Sequence, residues 1–128
     1  MKLNFRPKAA FASQKAFNYL SDKHPSDINQ IVVIRHAAIG DFMNIRPFLL
    51  GLKSFFPNAK ITLSTINTYA YGTPDDLIDV VHIIDRTVNG KKTSAFQRLK
   101  QIRQLPKADI LFDLTDSSLS LLTAIFSK

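Results

Sequence analysis

The chain has 128 residues, 45% of them hydrophobic, and a formal charge of +7. That length makes about one domain with a core of its own, and the lack of Cys excludes a disulfide framework and thiolate chemistry. No apolar run reaches the roughly 18 residues of a membrane-spanning helix, and the basic N-terminus lacks the apolar stretch of a secretory signal, so the expected location is cytoplasmic.

The cationic excess lies before Ile31 and after Gly90, and the stretch between them is balanced. Every acidic residue is an Asp. Such a balance suits an anionic partner: nucleic acid, a phosphorylated substrate or an acidic membrane surface.

Residues 1–30 read as an N-terminal helical extension. Phe5, Ala9, Ala12, Ala16, Tyr19 and Leu20 approximate one helical stripe, with Lys8, Lys15 and Lys23 outside it. A helix of this kind either packs on the domain or lies at a membrane interface. His24-Pro25-Ser26-Asp27 is a connecting turn. Residues 31–35 form a continuous apolar strand of the sort covered on both faces. Periodicity predicts a helix over 41–56, with Ile45, Phe48, Leu49, Leu52 and Phe56 on one face and Pro57 at its end. Pro47 either kinks that helix or sits in the first turn of one that starts near Arg46.

Residues 60–66 are the second strand, 68–79 a loop with a short helical turn, and 80–84 the third strand. Residues 87–93 read as a polar loop. An amphipathic helix is predicted over 94–104, with Phe96, Leu99 and Ile102 inward. A fourth strand over 110–114 and a helix over 117–126 follow. This alternation predicts an α/β fold for residues 31–128: a Rossmann-like, doubly wound parallel sheet with right-handed crossovers.

Gly40-Asp41 falls where the first strand hands over to a helix, the place where α/β folds put ligands. The positive helix end favours the ionised carboxylate, which can accept a proton from a substrate hydroxyl. Gly40 lets the backbone turn tightly and lets a ligand approach. The same pair also reads as an ordinary helix cap. It is neither a dinucleotide fingerprint nor a phosphate-binding loop.

The run Ile34-Arg35-His36-Ala37-Ala38-Ile39-Gly40-Asp41, with Pro47, Leu49, Leu52-Lys53, Phe56-Pro57 and Ala59-Lys60-Ile61 after it, resembles the opening of glycosyltransferase family nine, the lipopolysaccharide heptosyltransferases. Ala108-Asp109-Ile110-Leu111-Phe112-Asp113-Leu114 is similar to a later strand of that family. His36-Ala37 stands where the family often has Leu-Gly, and Leu119 where it often has a basic residue.

The resemblance implies the N-terminal, acceptor-side half of a GT-B type enzyme. Two such halves need roughly 300 residues. The ending after an apolar helical run, with no capping Gly, is that expected of a longer chain, whose isolated fragment would be inactive. Asp41 would be the general base, with Ala38, Ile39 and Gly40 beside it at the substrate. The acceptor would be a lipopolysaccharide core or similar glycolipid. The donor would be a nucleotide sugar of the ADP-heptose type, held mainly by a C-terminal domain. Transfer would invert configuration without cofactor or metal, at the inner face of the cytoplasmic membrane.

Arg86, Lys91 and Lys92 follow the third strand and either meet acceptor phosphates or form a solvated loop. Arg98, Lys100, Arg103 and Lys107 read as the wet face of a helix. Asp113 either lines the cleft or caps the next helix. His36 is a proton shuttle or a structural residue, and His24 and His82 lack metal-ligand spacing. Asp75, Asp76 and Asp79 hint at a cation site without an EF-hand pattern. Ser117 and Ser118 lack a nucleophile elbow. A second function class is a non-catalytic basic module that binds a membrane surface or polyanion. Nucleic acid is not an expected partner, because no recognition motif for it is present.

Overall fold

Four strands take up the apolar runs, and all four are parallel. The computed structural model describes residues 14–36 and 38–127. Its elements are α1 (Gln14–Ser21), β1 (Gln30–Ile34), α2 (Ile39–Asn44), α3 (Arg46–Phe55), β2 (Lys60–Ile66), β3 (Val80–Ile84), β4 (Thr87–Val88), β5 (Lys91–Lys92), α4 (Ala95–Ile102), β6 (Ile110–Asp113) and α5 (Ser118–Phe126). Short 3-10 turns span Pro25–Asp27 and Asn67–Gly72. The sheet order is β3-β2-β1-β6. The chain therefore moves outward from β1 to β3, then crosses back over β1 to lay down β6. The reversal puts a topological switch point between β1 and β6, the expected place for a ligand crevice.

β1 is central because it is apolar on both faces. Ile31 and Val33 pack with Phe42, Ile45, Leu49 and Leu52 from α2 and α3. Val32 and Ile34 meet Leu105 and Ala124 on the other face. These four apolar side chains of β1 are fully buried, and each such burial is worth about 1.5–3 kcal/mol.

Aspartates fasten the amino edge of the sheet. Asp109 accepts the backbone amides of Asn29 at 2.8 Å and Gln30 at 3.0 Å, tying β1 to the start of β6. The Asn29 amide holds the Asp109 carboxyl below its usual range. Asp79 accepts the Ile61 amide at 2.8 Å and does the same for β2 and β3. The carboxyl edge is left free to carry loops.

Pro47 resolves as the start of a helix. Ile45 ends α2 and begins α3, and Pro47 lies in the first turn of α3, where its missing N–H costs nothing. The single helix expected over 41–56 is thus two, and the first begins ahead of Asp41, at Ile39.

Two expectations for the second half are corrected. Phe96 does not face inward: it is 77% exposed. Arg98, Leu99 and Ile102 form the inner stripe of α4 instead. The polar loop over 87–93 is a small hairpin, in which Thr87 pairs with Lys92 and Val88 with Lys91. Asn89 and Gly90 both have positive φ (50° and 76°), as a tight two-residue turn requires.

Ser94 caps α4 by accepting the Gln97 amide at 3.2 Å, and Gln97 returns a bond to the Ser94 amide at 2.9 Å. Ser94→Ala orphans that helix amide and should cost about 0.5–2 kcal/mol, read from the urea midpoint.

Of the N-terminal stripe, Phe5, Ala9 and Ala12 lie outside the described residues. Tyr19 on α1 is 37% exposed, with the Lys23 ammonium 4.7 Å from its ring centre. Among the described residues no helix is long and apolar enough to cross a membrane.

Candidate functional site

At the switch point, the chain leaving β1 is tied to the chain leaving β6. The Arg35 guanidinium donates to the Leu114 carbonyl. The His36 amide donates to the Thr115 hydroxyl at 2.8 Å. Thr115 is itself set by its amide bond to Asp113 (2.9 Å), while the Ser120 hydroxyl donates to its carbonyl (2.9 Å). Arg35 also reaches Asp41, with Nη2 3.2 Å from Oδ1. The Asp41 side chain is 36% exposed, so the carboxylate is both positioned and open to solvent.

Asp41 is not a cap. The α2 cap is Ala38, which makes no side-chain bond, and Asp41 is the third helical residue. Its own amide bonds the Ala38 carbonyl at 2.9 Å. Gly40 does not make the tight turn expected of it. It lies inside α2, and a Cβ placed there would meet nothing within 4 Å. The space above α2 is therefore open, but glycine is not required for it. Ile39 opens α2 beside Ala38. Asp113 reaches the same edge, but its carboxylate serves the Thr115 amide; Ser117 caps α5.

The predicted cations do not converge on Asp41. Arg86 and Lys92 line a separate pocket with Ile66, Thr68, Tyr69, Thr87 and Arg98. It sits beyond the carboxyl ends of β2 and β3, and α2 packs beside the 3-10 turn that carries Thr68 and Tyr69. Period-two alternation separates the two lysines: Lys92 shares a face with its partner Thr87, and Lys91 shares the opposite face with Val88. Lys91 is accordingly not in the lining. Asn67 docks the hairpin by donating to the Thr87 carbonyl at 2.6 Å and accepting the Arg86 amide at 3.2 Å.

Arg98 belongs to this pocket rather than to a purely wet helix face, as the sequence had suggested. Its place one turn before Ile102 on the inner stripe was the available signal. Arg35 and Thr115 carried no signal for their link across the sheet, because the Leu114 carbonyl and the His36 amide that they bond are brought close only by the crossover.

The histidines divide sharply. In His82, Nε2–H donates to the Gln101 carbonyl at 2.8 Å and Nδ1 accepts from the Ser64 hydroxyl at 3.0 Å. Burial pushes its pKa down. In His36 both ring nitrogens are shut off from solvent and have no hydrogen-bond partner among the described residues. Burial, then the nearby His82 and Arg86, lower its pKa to about 4. His36 is therefore neutral near pH 7. The three aspartates of the possible cation site are each engaged apart. Asp76 pairs with Arg46 (2.8 and 2.5 Å), Asp79 holds Ile61, and Asp75 accepts from the Thr73 hydroxyl at 2.6 Å.

No protein-family model, curated protein or solved structure matches the chain. What the architecture itself defines is a Rossmann-like α/β unit, a four-stranded parallel sheet with helices on both faces.

Proposed function

We propose that this chain is the acceptor-side half of an inverting glycosyltransferase of the heptosyltransferase type, with Asp41 as its general base. The carrying observation is a solvent-reached carboxylate at the switch point of a parallel sheet, held by Arg35. Asp41 takes the proton from an acceptor sugar hydroxyl. The hydroxyl oxygen bonds to the anomeric carbon of the donor as the bond from that carbon to the diphosphate breaks. The nucleoside diphosphate leaves with the electron pair, and configuration inverts. Ala38, Ile39 and Gly40 border the acceptor, and the exposed surface over Gly40 gives it room. The donor, a nucleotide sugar of the ADP-heptose type, is bound by a second domain. The acceptor is a lipopolysaccharide core or similar glycolipid, met at the inner face of the cytoplasmic membrane.

The test is sugar transfer from a nucleotide donor to a lipopolysaccharide-core acceptor by the protein that carries this chain, compared with its Asp41→Asn form. Transfer that depends on Asp41 supports the reading, and transfer indifferent to Asp41 removes the base.

The charge distribution favours a second reading, a non-catalytic module for an anionic surface. Lys100, Arg103 and Lys107 are exposed on and just beyond α4. In that case the protein binds anionic vesicles, the binding fades steeply with salt, and no sugar nucleotide is turned over.

A further inference from the structure

We propose that the pocket formed by Arg86, Lys92 and Arg98 is a binding site for a phosphate group, distinct from the Asp41 centre. The cavity has a volume of about 410 Å³, within the range of small-molecule sites. Among the described residues three cations line it and no carboxylate does. The ion pairs among the described residues are Arg35–Asp41 and Arg46–Asp76, so none of the three is neutralised by an acid. The nearest acid along the chain, Asp85, is held away by Gln101, whose amide donates to its carboxylate at 2.6 Å.

Like charges gather without a counterion only at a cost, unless an anion joins them. The protein has nevertheless built them into place. The hairpin fixes Lys92 opposite Thr87, and Asn67 fixes the Arg86 backbone. The Ser94 cap sets the first turn of α4 and so the base of Arg98. The Arg98 stem lies against the apolar groove between α4 and α5. Its Nε is closed to solvent and has no hydrogen-bond partner among the described residues, so that buried N–H is unsatisfied at the edge of the pocket. Two guanidinium forks, an ammonium and the Thr68 and Thr87 hydroxyls match the charge and oxygens of a phosphate dianion.

The test is calorimetric titration of the protein with inorganic phosphate, against chloride at equal ionic strength. Glucose 6-phosphate and vesicles of phosphatidic acid in phosphatidylcholine form the two further arms. Saturable one-to-one binding is expected, weakened about tenfold or more by Arg98→Gln, Arg86→Gln or Lys92→Gln, since each removes a charge-assisted bond. Lys91→Gln, an equal loss of charge on the far face of the hairpin, should change it less than about twofold. Lys92→Gln lies on an exposed two-residue strand and leaves the core intact, so loss of binding there is not loss of fold. Tighter binding of the sugar phosphate marks a soluble ester as the source, and tighter binding of the vesicles marks a lipid headgroup. No saturable binding in any arm overturns the proposal. So does an equal loss with Lys91→Gln and Lys92→Gln, which would mean diffuse charge. The readout involves no sugar transfer, so failure of the glycosyltransferase reading leaves this result standing.

Discussion

Asp41→Asn should reduce sugar transfer by about 10²–10⁴-fold, the usual contribution of a positioned general base. Asn preserves the shape and keeps an oxygen for the Arg35 guanidinium but cannot take a proton. The fold should barely notice the change. Asp41 is 36% exposed and its contact with Arg35 is a partly solvated ion pair, of a kind worth about 0–1 kcal/mol. The prediction therefore separates chemistry from stability: turnover collapses while the urea midpoint stays close to that of the parent. Full turnover in the variant removes Asp41 from the mechanism. Arg35→Gln should behave differently. Arg35 also donates to the Leu114 carbonyl, so its loss loosens the link between β1 and β6 and lowers stability and turnover together.

Acid should weaken the fold through His36. Its pKa falls from the ordinary 6.5 to about 4 in the folded chain, chiefly by burial. The unfolded chain thus binds a proton more readily than the folded one between those values. Stability contributed by the neutral ring is complete above pH 6.5 and is lost as the pH falls toward 4. The drop corresponds to as much as about 3 kcal/mol, because a charged imidazole would sit near Arg86 without an acceptor for either nitrogen. Urea unfolding at pH 7 and pH 4 measures the loss. His82 is lowered as well, with the same sign, so His36→Phe is needed to isolate the larger part: the variant should lose much less stability on acidification. A ring proton resonance of His36 that titrates near pH 6.5 in the folded protein would remove the basis of the prediction.

The strands were legible because each is a compact apolar run closed by turn residues. β2 and β3 fall where the sequence places them, and β1 and β6 within one residue. Pro47 was legible as a choice between two geometries, and the packing of Ile45 and Leu49 against β1 decides it. The hairpin was not legible, although Asn89-Gly90 is a strong turn signal. The flanking residues, Thr87-Val88 and Lys91-Lys92, are too short and polar to bury a face, and the hairpin is held from outside by Asn67 and by the Thr93 hydroxyl, which donates to the Asp85 carbonyl. Phe96 misled because its spacing to Leu99 and Ile102 looks like a stripe. Phe96 lies on the same side of α4 as Lys100 and Arg103, and that side faces water. Asp41 was visible as a carboxylate at a junction. Its guanidinium partner was not, since a residue at the end of a strand can point to either side of the sheet. The basic pocket was half visible: Arg86 and Lys92 read as a charged loop, and only the return of α4 along the sheet adds Arg98 to them.

β6 carries a consequence for how residues 1–128, taken alone, behave at high concentration. Ile110, Leu111 and Phe112 are partly buried residues of a strand that bonds β1 along one side, and among the described residues no strand bonds the other. A row of unpaired amides and carbonyls beside apolar side chains is a template for strand addition. Mutual repulsion of molecules at +7 opposes that addition in dilute buffer, and added salt screens the repulsion without touching the hydrogen bonds. Solubility should thus be limited by ionic strength: the conditions that quiet the charged loops are those under which two sheets join edge to edge.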